Sequence, residues 1–309
     1  MILTTEAIVL RTMKYSESSL IAALFTRDHG KISIIAKGAR RKSRPFGASI
    51  EAMNHVRAVI YYKAQRELQL LTQCDLVERY PALVEDLPRM GIGMAAVELL
   101  HLATEHDEAH PEVFQLTVDL FRSVQNATRG HKNALYAYEI QLLGLLGFKP
   151  SLRQCVSCRE DIGAFGNPPA RSRFRVTGRG ILCERCGEAG DTGIAISAAA
   201  CGALERFQSC EGLESSLQVA VTPDIAAEIE EAVFLAREVV IEEVSCVVRR
   251  QRVRGQTNKR GLLARFRPPG DTLQPCGREC IGSDCNAKEE QGSLFWDAHG
   301  EEGDRFTCA

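Results

Sequence analysis

Leu20-Ile21-Ala22-Ala23-Leu24-Phe25-Thr26-Arg27-Asp28-His29-Gly30-Lys31-Ile32-Ser33-Ile34-Ile35-Ala36 decides how the N-terminal part of this chain folds. Two apolar runs flank a polar turn that ends in glycine, a pattern that predicts strands over 20–26 and 31–36. Similar short runs rich in Ile, Val, Leu and Thr stand on either side, at 5–13, 56–63 and 68–73. In one of them Val56, Ala58, Ile60 and Tyr62 alternate with Arg57, Val59, Tyr61 and Lys63, as a strand with one wetter face would. Five short strands in so small a stretch predict a small closed β-barrel, because closure removes the vulnerable edges.

Past residue 80 the period changes. Residues 88–105, 111–126 and 133–147 read as helices; in the second, Phe114, Val118 and Phe121 share a face and Pro111 suits the first turn. The third is stopped by Gly147 and Pro150, and its Leu142, Leu143, Leu145 and Leu146 call for burial in a bundle. Helices resume near Ser197, and a long one runs from Pro223 to about residue 250 with Thr222 as N-cap. Between these helices stand Cys155-Val156-Ser157-Cys158 and Cys183-Glu184-Arg185-Cys186. Two such knuckles suit four thiolates (Cys155, Cys158, Cys183, Cys186) closing a tetrahedron around one structural Zn²⁺, with no position left for substrate. The fold class expected is multidomain α+β: a barrel over 1–80, helices over 81–152 and 191–254, a zinc-finger insertion over 153–190, and an extension over 255–309.

The composition, 45% hydrophobic and 25% charged over 309 residues, is that of a globular protein. No apolar run reaches the ~20 residues of a membrane span, and the N-terminus lacks the features of a secretory signal. Paired cysteines in such a chain fit a reducing, cytoplasmic setting. The net charge of −2 hides an imbalance, since residues 1–81 hold 13 Lys/Arg against 7 Asp/Glu. Lys37, Arg40, Arg41, Lys42 and Arg44 crowd the segment after the third strand, where they can neutralise several phosphates of a nucleic acid. Arg11, Lys14 and Lys31 are second-rank contacts, and Tyr15, Phe46, Tyr61 and Tyr62 are stacking candidates. Gly30-Lys31 is not a P-loop, because the preceding glycine and following Ser/Thr are missing. His101 and His106 are off zincin spacing, and no triad or paired carboxylates stand out, so a non-catalytic protein is expected.

The chain resembles the bacterial RecO family of recombination mediators. The resemblance rests on Glu6-Ala7-Ile8-Val9-Leu10-Arg11, Tyr15-Ser16-Glu17-Ser18-Ser19, and the run from Leu24 through Ser33. It continues in Ala36-Lys37-Gly38-Ala39-Arg40-Arg41, in Leu142-Leu143-Gly144-Leu145-Leu146-Gly147-Phe148, and in the two knuckles. It implies an N-terminal OB-fold, a helical domain and an inserted four-cysteine zinc finger. It implies binding of single- and double-stranded DNA, strand annealing, and capture of the acidic tail of the single-stranded DNA-binding protein. It also implies action with RecR to help RecA load during repair, in a bacterial, nucleoid-associated setting. A second reading stays open, that of an RNA-binding or translation-associated zinc protein, because OB-folds and zinc ribbons serve both nucleic acids.

Two features of the extension complete the reading. Cys276, Cys280, Cys285 and Cys308, with His299, could hold a second metal, but their irregular spacing reads rather as free thiols in a flexible C-terminal tail. Gln291-Gly292-Ser293-Leu294-Phe295 is similar to a sliding-clamp-binding motif through Gln291, Ser293, Leu294 and Phe295, with glycine where leucine is usual.

Overall fold

Each of the five expected strands is present: β1 (Ile2–Lys14), β2 (Leu20–Thr26), β3 (Gly30–Ala36), β4 (His55–Tyr61) and β5 (Leu68–Glu78). They close into a barrel in the order β1-β2-β3-β5-β4, with β3 and β5 parallel and the other neighbours antiparallel. This is a computed structural model; it describes residues 1–40, 48–106, 108–162, 172–175, 180–187 and 193–253. Inward positions alternate with outward ones, as the pleat requires. Leu3, Ala7 and Val9 of β1 fill the barrel with Leu24, Ile34, Ala58 and Ile60. Their neighbours Ile8 and Leu10 point the other way, into the helices. The register of β1 slips between Val9 and Arg11, a bulge that lets the strand bend around the barrel and run longer than the sequence pattern predicts.

The helical part comprises α1 (Ala82–Glu85), α2 (Leu87–Ala103), α3 (Pro111–Asn126) and α4 (His131–Leu145). After the metal module it resumes with α6 (Ala198–Ser209), α7 (Leu213–Ser216) and α8 (Pro223–Val253). The module between them holds β6 (Ser172–Arg175), β7 (Gly180–Leu182), α5 (Glu184–Gly187) and β8 (Ile194–Ile196), in a three-stranded sheet of order β7-β6-β8. Helix α4 stops where the sequence says it should: Gly147 takes φ +87° and the Phe148 N–H reaches back to Leu143 O at 2.7 Å. Thr222 caps α8, its Oγ1 accepting from the Ile225 N–H at 3.5 Å.

Barrel and bundle share one apolar core. Ile8, Leu10, Phe25 and Met53 enter the same cluster as Phe114, Phe121, Tyr138 and Phe207, each large side chain worth about 1.5–3 kcal/mol of burial. Residues Met1–Gly261 form one compact unit, and the second, Leu262–Ala309, lies outside the described residues. The seam is tight at Gly30. Its φ of +66° suits glycine, and a Cβ at this position would collide with the Glu108 backbone carbonyl.

Candidate nucleic-acid interface and metal centre

Strand register assembles the basic surface at one end of the barrel. Leu20 pairs with Lys14 on one side and with Ala36 on the other, so the end of β1, the start of β2 and the end of β3 lie abreast. The Tyr15–Ser19 turn closes with Tyr15 N–H to Ser19 O at 3.1 Å. The segment after β3 packs on this turn. Ala39 plugs the barrel, the Arg40 N–H reaches Ser18 O at 3.1 Å, and its guanidinium reaches Glu17 O at 3.2 Å. Lys14, Lys37 and Arg40 are exposed beside Tyr15, itself 63% exposed. Among the described residues none of the three cations is held in an ion pair. Arg11 is also exposed, further down β1. Arg41, Lys42, Arg44 and Phe46 lie outside the described residues, as do Gln291, Ser293, Leu294 and Phe295.

Lys31 must be taken off the phosphate-binding surface. It is 7% exposed, and its ammonium donates to His101 O and Thr104 O, each at 2.7 Å, at the C-terminal end of α2. There it caps helix carbonyls and ties the barrel to the bundle. Burial lowers its pKa to about 8, against the opposing pull of Glu105.

The barrel also carries a feature that sequence reading missed. Following the pairings around the wall, Met13 meets Ile21, Ile21 meets Ile35, Ile35 meets Leu70, Leu70 meets Tyr61, and Tyr61 meets Ile2. All six point outward, and Met13, Tyr61 and Ile2 are exposed. The Lys63 ammonium sits 5.5 Å from the Tyr61 ring centroid, with exposed Arg66 three residues on in the same β4–β5 loop. Alternation in β4 hinted at Tyr61, but only the closed register shows that the row is continuous.

The four knuckle cysteines converge. Their sulfurs all lie within 4.8 Å of one another, and the Cys158 and Cys183 sulfurs are 3.7 Å apart. A tetrahedral thiolate site with ~2.3 Å bonds puts its sulfurs ~3.8 Å apart, so the donor set fits a metal. Local structure prepares the ligands. The Cys183 N–H points at Cys155 Sγ at 3.4 Å, and the Gly187 N–H reaches Cys183 O at 2.9 Å. Burial raises the Cys155 thiol's pKa, but hydrogen bonds from the Cys158, Cys183 and Ser157 backbone outweigh it and bring it down to about 6. An Arg185–Glu160 ion pair joins the two knuckles, and an Arg153–Glu205 pair joins the module to α6.

A groove of about 810 Å³ opens in the bundle between α2, α4 and α8. Ile92, Leu135, Val233 and Phe234 supply apolar walls, and Lys132 and Arg237 supply cations. Lys132 and Tyr136 both bond Glu230, at 2.9 and 2.6 Å. Arg237 donates to Glu139 at 3.0 Å and lies 5.4 Å from the centroid of the half-exposed Phe234 ring. Burial raises the Glu139 carboxyl's pKa to about 7 in spite of that arginine.

An OB-type barrel with a cationic end, fused to a helical bundle that carries an inserted four-cysteine knuckle, is the architecture of a class of nucleic-acid-associated proteins. The family descriptions "Recombination protein O N terminal" and "Recombination protein O C terminal" match residues 1–80 and 84–243. The DNA repair protein RecO of Rhodopirellula baltica is 35% identical over 181 residues, covering 58% of this chain and 65% of that protein. That of Symbiobacterium thermophilum is 30% identical over 228 residues, covering 74% and 87%. That of Bacillus pumilus is 29% identical over 231 residues, covering 75% and 86%. The chain belongs to the RecO family of DNA repair and recombination proteins. Among the described residues no helix is long and apolar enough to cross a membrane.

Proposed function

We propose that this chain is a non-catalytic DNA-binding mediator of recombinational repair in the bacterial cytoplasm, associated with the nucleoid. It anneals complementary strands and, with RecR, helps load RecA onto DNA coated with single-stranded DNA-binding protein. The observation that carries this reading is the cationic end of the barrel, where Lys14, Lys37 and Arg40 stand exposed around Tyr15 with no ion pair among the described residues. Annealing needs no catalytic group. It needs phosphate repulsion between two strands to be screened while their bases stay free to pair. Arg11 adds an exposed cation on β1, and Arg41, Lys42 and Arg44, which lie outside the described residues, are kept as proposed phosphate contacts on their sequence alone.

The groove between α2, α4 and α8 is the proposed seat for the acidic tail of the single-stranded DNA-binding protein. Its apolar walls and Arg237 suit a peptide that places an apolar side chain beside a carboxylate. The four cysteines hold one structural Zn²⁺, selected by an all-thiolate, closed donor set. When bound, the metal cross-links the two knuckles; Cys155, Cys158, Cys183 and Cys186 contribute no reactive group to annealing. The working division of the chain follows the sequence boundaries, with the insertion at 153–190, and the Gln291–Phe295 segment is kept as a proposed contact for the sliding clamp.

The test is annealing of DNA coated with single-stranded DNA-binding protein, comparing the intact protein with Arg40→Ala/Arg41→Ala. The expected outcome is a loss of an order of magnitude or more in DNA binding at low salt, with annealing lost in parallel. Unchanged annealing by the variant would overturn the reading. A strong preference for single-stranded RNA in competition would favour the RNA-binding alternative.

A further inference from the structure

Glu139 is the one acidic side chain of the groove that is almost wholly buried, at 5% exposure. Its carboxylate accepts from the Arg237 guanidinium, 3.0 Å away, which also faces the exposed Phe234 ring. A carboxylate, a guanidinium and an aromatic face therefore meet inside an apolar cavity. That is the arrangement a bound peptide carboxylate would itself create with Arg237.

We infer that Glu139 is a built-in stand-in for the ligand's carboxylate: an acidic peptide entering the groove displaces it from Arg237, and Glu139 takes up a proton. This rests on the groove reading given under Proposed function. The physical reason is that a buried carboxylate stripped of its counter-charge cannot stay ionised in an apolar cavity. The proton is drawn from solvent and resides on a Glu139 carboxyl oxygen while the peptide's carboxylate holds the guanidinium. The raised pKa of Glu139 in the free protein, about 7, means that this uptake falls in the physiological range. Glu139 thereby acts as a specificity filter. A neutral apolar peptide gives Arg237 no replacement partner and leaves Glu139 in place, whereas an acidic one completes the exchange.

The other titratable groups around the cavity are His131, Lys132 and Tyr136 of α4 and Glu230 of α8; the α2 residues lining it carry no charge. Glu230 is held by Lys132 and Tyr136, and His131 faces Ala127 O at 3.1 Å. His131 is therefore the residue whose substitution serves as the control for that of Glu139.

The experiment is calorimetric titration of the full-length protein with a synthetic peptide copying the acidic C-terminal tail of the single-stranded DNA-binding protein. It is run at pH ~6 and ~8 in buffers of different ionisation enthalpy. For one exchange governed by a group titrating near 7, affinity falls about tenfold from the lower pH to the higher, and roughly one proton is taken up per peptide at the higher. Glu139→Gln keeps a hydrogen-bond acceptor for Arg237; it should abolish the pH dependence and the proton uptake while binding at least as tightly as the wild type at the lower pH. His131→Gln should retain both effects. Binding that needs Arg237 but shows neither proton uptake nor a pH effect in the wild type would overturn the exchange while leaving the groove as the peptide's seat. Binding unaltered by both Arg237→Ala and Phe234→Ala would overturn the groove assignment and the exchange with it.

Discussion

Three lysines of similar appearance in the sequence have different work in the structure, and burial decides which. Lys14 and Lys37 are exposed at the barrel's end, whereas Lys31 is buried with its ammonium on two helix-terminal carbonyls. Exposed cations act on DNA through counterion release, which contributes a slope of about 0.7 per contact on a log–log salt plot for single strands. Lys37→Ala combined with Arg40→Ala should therefore lower that slope by about 1.4 if each meets one phosphate. Fluorescence titration of a labelled single strand across salt concentrations measures it. Lys31→Met should leave affinity and slope within error of the wild type. It should instead cost about 1–3 kcal/mol of stability, since two buried carbonyls lose their donor. Denaturant unfolding reads that cost, and a changed salt slope for Lys31→Met would return this residue to the DNA-binding set.

Among the elements, the metal module depends most on something besides packing. Among the described residues its own buried cluster is Cys155, Leu182 and Cys183, with Val156, Ile162 and Cys186 packed against it, a small core for a fold. Its connections to the bundle include Arg153–Glu205 and the Cys201 thiol on Leu152 O. Metal binding supplies apparent free energies of about 10–16 kcal/mol in comparable four-ligand peptides. Cys183→Ser should accordingly abolish stoichiometric zinc, measured by metal analysis, and open the segment between Pro150 and Ser197 to limited proteolysis. Among the described residues the barrel shares no sheet with the module, so the DNA affinity proposed for it should be kept; loss of DNA binding in parallel with zinc would contradict this. The knuckles were legible from sequence because metal ligation imposes a local spacing. So were the helix running from Pro111 to Asn126 and the stop at Gly147, both set by neighbouring residues. The outward row from Met13 to Tyr61, the buried role of Lys31 and the groove beside Arg237 were not legible. Each depends on residues brought together by register or helix packing across long stretches of chain.

At the scale of the whole molecule, the seam between barrel and bundle is where pH should act. His101 near the end of α2 is buried at Nδ1 with no hydrogen-bond partner there among the described residues, and its backbone carbonyl oxygen receives the Lys31 ammonium. Burial, reinforced by Lys31, Arg11 and His106, lowers its pKa to about 4. His55, edge-on to Phe114 at 5.5 Å, is lowered too, with burial outweighing its contact with Glu6. Both rings are thus held neutral in the folded protein. A histidine whose folded pKa lies below its unfolded value lets the unfolded chain bind protons first as pH falls. Their contribution is therefore intact above about 6.5, the unfolded value, and is lost progressively as pH falls towards the folded one. Glu139 has the opposite sign, because its raised pKa relieves the cost of a buried charge as the solution becomes more acidic. The melting temperature of the full chain should fall between pH ~7 and ~5 as the histidine effect dominates. His101→Gln, which stays neutral throughout, should fall less steeply over that range. Parallel melting curves for the two proteins would show that the barrel–bundle seam does not set the acid limit. A shallower fall in the variant would instead place the proton-sensitive step at the end of α2, where the Lys31 ammonium holds the His101 carbonyl.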